Sequence, residues 1–178
     1  MFDYIKADIK RYTKGINAYK IIFYLVFTQG LWAISVYRFG NWVNRIRIIL
    51  VGQILRLIYF ILFKGIEITT GISIDCNAKI GKGMYIGHFG QIFIYSDVVI
   101  GENVSIAQGV TIGTLGLGKR GAPKLGDNVF IGSGAKVLGN INVGNNVRIG
   151  ANAVLVKDVP DNATVVGIPG KIIRINKD

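Results

Sequence analysis

The stretch Ile100-Gly-Glu-Asn-Val-Ser-Ile-Ala-Gln-Gly-Val-Thr-Ile112 repeats an isoleucine at every sixth position. Val104 and Val110 follow four places after the first two anchors. A strand alternates every second residue and a helix returns every 3.6, so a period of six belongs to neither and marks a repeat architecture. Upstream the same cadence runs through Ile74, Ile80, Ile86 and Ile92, then slips by two to Ile94. Beyond Ile112 a thirteen-residue gap intervenes, and the cadence resumes at Leu125, Ile131, Val137, Val143, Ile149 and Leu155. Gly follows many anchors directly, as at Gly81, Gly101, Gly126 and Gly144. Two inward positions and a tight corner per six residues predict one short strand and one turn per hexapeptide, stacked as a solenoid.

Outward from this block the composition changes. Residues 1–64 hold ten Lys/Arg against Asp3 and Asp8, a net of +8, whereas the rest of the 178-residue chain adds +3 to the total of +11. Ile21 to Tyr37 is uncharged over seventeen residues, and Ile48 to Phe63 is interrupted only by Gln53 and Arg56. Both stretches sit at or below the lower edge of a bilayer span, roughly 17 to 25 residues. Basic residues scattered through apolar sequence, with Trp32 and Trp42 among them, suit helices lying at an anionic membrane surface better than a nucleic-acid groove. The alternative for residues 21–63 is packing on one another and on a partner subunit. Cys76 is the single cysteine, which excludes an internal disulfide and a Cys-rich zinc site. With one histidine and no ligand cluster, metal catalysis has no support.

The chain therefore divides into an apolar, basic helical segment, residues 1–66, and a repeat domain, residues 67–178, with an extended loop at 113–124 and a C-terminal tail. His88, the one histidine, stands in Ile86-Gly-His-Phe-Gly90, two residues past an inward anchor and so at a corner. An imidazole titrating near pH 6.5 is suited to taking a proton from a hydroxyl.

Asp75-Cys-Asn-Ala-Lys-Ile-Gly-Lys-Gly-Met-Tyr-Ile-Gly-His-Phe-Gly90, Ile100 to Gly113, Phe130-Ile-Gly-Ser-Gly-Ala-Lys-Val-Leu-Gly-Asn140 and Val166-Gly-Ile-Pro-Gly-Lys-Ile-Ile173 together resemble the hexapeptide-repeat acyltransferase superfamily, in its serine acetyltransferase branch. The resemblance implies a left-handed parallel β-helix of about five coils, mainly β, capped at one end by the helices and at the other by the tail. It further implies a homotrimer with sites between prisms and acetyl-CoA as acyl donor. His88 then corresponds to the catalytic base. Ser133, Gly134 and Ala135 correspond to small residues admitting CoA, with Lys157 and Lys171 as candidates for its phosphates.

From the extended loop come Gly113, Thr114, Gly116 and Lys119 as further cofactor contacts, their backbone amides close to the pantetheine arm or the developing oxyanion. Asp75, Ser73 and Asp97 are candidates for orienting His88, and Arg120 for holding the acceptor.

Four positions depart from the serine branch. Gly87 replaces an Asp, Ser73 replaces the Asp that pairs with the histidine, and Gly121 and Ala122 replace an Arg-His pair that holds the serine carboxylate. Subtracting those contacts, the resemblance points to a saccharide hydroxyl as acceptor, as in capsular, exopolysaccharide and colanic-acid-type O-acetyltransferases, at the cytoplasmic face of the cell membrane. The alternatives are serine O-acetylation and a non-catalytic β-helix scaffold.

Overall fold

The structure, a computed structural model, describes residues 1–116 and 121–176. Helices α1 (Phe2–Thr13), α2 (Ala18–Phe27), α3 (Gln29–Val43) and α4 (Ile49–Thr70) precede the strands. The first apolar stretch is thus divided between α2 and α3. The helical segment reaches Thr70, four residues past the boundary expected from sequence, and Gly71 ends α4 in the left-handed conformation.

The strands form the three faces of a prism. Face A holds β1 (Ile72–Ile74), β4 (Ile92–Ile94), β7 (Thr111–Gly113), β10 (Lys136–Leu138) and β13 (Val154–Leu155). Face B holds β2 (Lys79–Ile80), β5 (Val99–Ile100), β8 (Lys124–Leu125) and β11 (Asn142–Val143). Face C holds β3 (Tyr85–Ile86), β6 (Ser105–Ile106), β9 (Phe130–Ile131), β12 (Arg148–Ile149), β14 (Ala163–Val166) and β15 (Lys171–Ile175). All pairings are parallel except β14 with β15. The anchors stack inside in register, Ile86 on Ile106 on Ile131 on Ile149, and all are essentially buried. Each fully buried Ile or Val contributes on the order of 2 kcal/mol, which is what a strand of two residues needs to persist.

Coil lengths locate the departures from regularity. Along face A, Ile74, Ile94, Ile112, Val137 and Leu155 follow one another at 20, 18, 25 and 18 residues. Three hexapeptides make 18, so the first coil has two extra residues and the third has seven. The seven form the expected loop between β7 and β8. The two lie in the turn from β3 to β4, where His88 stands, and the sequence shows them as the slip from Ile92 to Ile94.

A solenoid's first coil leaves an open edge, a row of unpaired backbone groups that invites aggregation. Here α1 and α3 close it with side chains. The Tyr37 hydroxyl donates to the Ala78 carbonyl (2.8 Å) and accepts from Ile80 N (3.2 Å). The Tyr12 hydroxyl donates to the Ile86 carbonyl (3.1 Å) and accepts from Ile86 N (2.8 Å). Asp8 accepts from Met84 N (2.8 Å), and Arg38, paired with Asp8 at 2.9 Å, donates to the carbonyls of Ile80 and Gly81 (2.6 Å each). At the other end β15 of the tail folds back antiparallel on β14 and pairs the free edge of face C.

Candidate active site

Three edges separate the faces, and the edge between faces C and A carries His88. Its turns, at 87–91, 107–110, 132–135, 150–153 and 167–170, stack one above another. The two inserted residues push the first of these turns outward, leaving His88 and Phe89 exposed. Among the described residues none makes a hydrogen bond to the imidazole. Beside it lies a cleft of about 370 Å³ lined by Tyr85, Gly87, His88, Gln108, Phe130 and Ser133, together with Ser105, Ile106 and Ala107. Ser133 is 45 residues from His88 in sequence and two coils away in space, ~10 Å at the spacing of neighbouring strands.

Tyr85, Ser105 and Phe130 carry no motif that marks them in sequence alone. Their signal is positional: each immediately precedes an inward anchor of face C, and the three pair side by side in register. Helix α1 fixes them from behind. Arg11 donates to Ser105 Oγ (2.9 Å) and to the Gly83 carbonyl (2.7 Å), its guanidinium stands 5.8 Å from the Tyr85 ring, and Tyr12 packs on the same ring at 4.6 Å. On the far side Arg148 stacks over Phe130 at 5.1 Å. No Asp, Glu, Lys or Arg lines the cleft, while the guanidiniums of Arg11 and Arg148 stand behind Ser105 and over Phe130.

The remaining sequence candidates fall into separate groups. Gly134 continues the His88 edge, and Lys171 begins β15 at its far end, exposed. Ala135 lies on the same edge with its side chain buried in the prism. Asp75, Asp97, Thr114, Gly116 and Lys157 lie along the edge between faces A and B, with Gly113 closing β7 beside it. Within one chain that edge is separated from His88 by the whole of face A. Asp75 is occupied in its own turn, accepting from Asn77 N (2.8 Å) and Asn77 Nδ2 (2.9 Å). Ser73 sits on face A near Glu67 of α4, whose carboxyl is held below its ordinary value by Lys64 first and by Ser73 to a lesser extent. Lys119 and Arg120 lie outside the described residues.

The family model described as bacterial transferase hexapeptide (six repeats) matches residues 122–157. A serine acetyltransferase of Staphylococcus aureus (strain Mu50 / ATCC 700699) is 53% identical over 107 residues, which are 59% of this chain and 50% of that protein. The chain thus spans about half the length of the curated relatives it matches first. The crystal structure of serine acetyltransferase from Brucella abortus strain S19 superposes with a TM-score of 0.84 at 30% identity, over 98% of this chain and 69% of the other. The Neisseria gonorrhoeae serine acetyltransferase in complex with serine superposes with a TM-score of 0.79 at 34% identity, over 96% of this chain and 68% of the other. The shared fold is the left-handed parallel β-helix with N-terminal helices, as the cadence of six and its resemblance led us to expect.

These relatives overturn the saccharide acceptor and the polysaccharide pathway expected from sequence, because they are serine acetyltransferases. The expectation rested on contacts missing at Gly87, Ser73, Gly121 and Ala122, above all the cations that Gly121 and Ala122 replace. Subtracting known contacts does not build a sugar site, and the fold sets Arg11 against Ser105 and Arg148 over Phe130, two residues of the cleft lining, from elements that no loop motif covers.

Proposed function

Because the chain belongs to the hexapeptide-repeat transferase superfamily, we propose that it transfers an acetyl group from acetyl-CoA to the hydroxyl of serine or a close serine analogue. His88 takes the proton of the acceptor hydroxyl, the oxygen attacks the thioester carbonyl, and the C–S bond breaks as the tetrahedral intermediate collapses. The imidazolium returns its proton to the departing CoA thiolate, so the base is regenerated within one turnover. Gly134 and Ser133, on the edge above His88, leave room for the pantetheine arm, and Lys171 at the end of that edge is placed for its phosphates. The guanidiniums of Arg11 and Arg148 give the cleft a positive surround that suits an acceptor carrying a carboxylate.

The observation that carries this reading is the cleft uniting His88 with Ser133 on one edge of the solenoid. A homotrimer completes the proposed site. It would bring another chain's A–B edge, with the loop residues Gly113, Thr114 and Gly116, to the His88 edge, and light scattering on the purified protein tests the stoichiometry. The chemical test is CoA release with acetyl-CoA and L-serine. His88→Ala should lower turnover by about 10²-fold or more with the fold and CoA binding retained. Undiminished turnover in that variant, or a wild-type rate indifferent to serine, would refute the proposal.

A further inference from the structure

Helix α4 presents three distinct faces. Gly52, Leu55, Tyr59, Phe63, Ile66 and Thr70, spaced by three and four, turn inward, with Tyr59 filling the space over Gly40 of α3. Gln53, Arg56, Lys64 and Glu67 form a polar stripe beside them, with Lys64 paired to Glu67. The third face is an apolar arc of Leu50, Ile54, Leu57, Ile58, Ile61 and Ile68, each between 43% and 82% exposed. At 22 residues the helix extends ~33 Å, so the arc is a long, continuous apolar strip.

α4 is, among the described residues, the one single helix long and apolar enough to cross a membrane by length and composition. The stripe argues against crossing, since Arg56 and the Lys64–Glu67 pair would sit at hydrocarbon depth. A helix lying in the headgroup plane accommodates all three faces: protein on one side, cations level with the phosphates, the arc toward the acyl chains. The turn before α4 extends the pattern, with Arg45 and Arg47 exposed beside Ile48 and Ile49 (66% and 75% exposed) and Trp42 at 38%. Tryptophan is the side chain favoured at that boundary. A second copy meeting this surface face to face would set Arg45, Arg47 and Arg56 against their own equivalents, whereas an anionic lipid surface complements them and the +8 of residues 1–64.

We infer that the α4 arc and the α3–α4 turn form a docking surface for an anionic lipid bilayer, with the helix parallel to the membrane plane. The inference is independent of the acceptor and of His88. The test is flotation of the full-length protein with vesicles of phosphatidylcholine alone and of phosphatidylcholine containing phosphatidylglycerol, with light scattering on the lipid-free protein. Wild type should float with the anionic vesicles and lose most of that binding in high salt. Arg45→Gln/Arg47→Gln should weaken it on the order of 25-fold, as the loss of two cations at about fivefold each implies. Leu57→Glu/Ile61→Glu, with unchanged circular dichroism and CoA release, should abolish it. Absence of flotation, or wild-type flotation by the arc variant, overturns the inference. So does a fall in lipid-free assembly size in the arc variant with no lipid binding by wild type, which would assign the face to a second copy.

Discussion

Replacing Asp8 with Ala tests whether the helices hold the first coil as described. Asp8 is fully buried and Arg38 is 5% exposed. The carboxylate accepts Arg38 Nε at 2.9 Å, Arg38 Nη2 at 3.2 Å and the Met84 amide at 2.8 Å. Its removal leaves the guanidinium buried with only the carbonyls of Ile80 and Gly81, and leaves the Met84 N–H without an acceptor. Breaking a buried pair by deleting one partner costs about 3–5 kcal/mol, and an orphaned buried amide about 1–3, the two overlapping because the same carboxylate serves both. A loss of about 4 kcal/mol is expected.

Both tryptophans, Trp32 and Trp42, lie on α3. Urea unfolding followed by tryptophan fluorescence therefore reports the helical layer, and circular dichroism the whole chain. Asp8→Leu/Arg38→Met removes both charges and should recover a large part of the loss, since a buried ion pair exchanged for apolar groups is often nearly neutral. A loss below about 1 kcal/mol in Asp8→Ala, or a double variant as unstable as the sum of the singles, would refute the reasoning.

Three further outcomes follow from the same geometry. Ile131→Ala, at a fully buried anchor, should cost about 3–4 kcal/mol in urea unfolding, whereas Phe130→Ala, its outward neighbour in the cleft, should alter KM values far more than stability. Burial raises the pKa of Tyr12 and Tyr37, so the neutral phenols stabilise the fold fully below the ordinary tyrosine value of about 10, and that stability is lost as pH rises above it, by up to ~1.4 kcal/mol per pH unit per group. Urea midpoints measured across that range should fall, and fall less steeply in Tyr12→Phe. Gly134→Ala should raise the KM for acetyl-CoA more than that for L-serine in initial-rate kinetics, because its φ of +74° disfavours a side chain and an added Cβ would collide with Asn152 Oδ1.

The solenoid was legible because its signal is local and redundant. Each of the fourteen anchors from Ile74 to Leu155 repeats one instruction, so residues between them can vary without hiding the period. The slip at Ile92 and Ile94 was equally visible, but its meaning, two residues inserted at the turn of His88, depends on knowing that both side chains point inward from one strand. The capping of the first coil by Tyr12, Tyr37, Asp8 and Arg38 joins residues 30 to 76 apart and has no periodicity to betray it. The grouping of site residues by edge was hidden for a related reason. Asp75 is thirteen residues from His88 in sequence, yet a prism of three faces puts them on different edges, whereas Ser133, far off in sequence, shares the edge.

The choice of residue at the corners distinguishes the edges further. The B–C edge and the C–A edge both need a left-handed backbone residue in each turn. On the B–C edge Gly83 supplies it in the first turn and Asn103, Asn128, Asn146 and Asn162 in the following four, at φ of +56° to +60° for the asparagines, whose amides stack into a ladder in which Asn128 donates to Asn146 (3.2 Å) and Asn146 to Asn162 (2.8 Å). On the C–A edge the same conformation falls to Gly109 and Gly134 in the two turns next above His88, with Gln91 in the first turn, Asn152 in the fourth and Gly167 in the last. The backbone alone cannot explain the difference, because Asn satisfies it four times on the neighbouring edge. Side-chain volume does: amides fill one edge, and on the other a strip above His88 stays open where Gln108 and Ser133 reach the cleft. Where Asn appears on the C–A edge, as Asn152, its Oδ1 already takes the space a Cβ on Gly134 would need. In the proposed reaction a thioester arm brought within reach of the exposed imidazole would have to approach backbone closely, and glycine at 109 and 134 leaves the space for it.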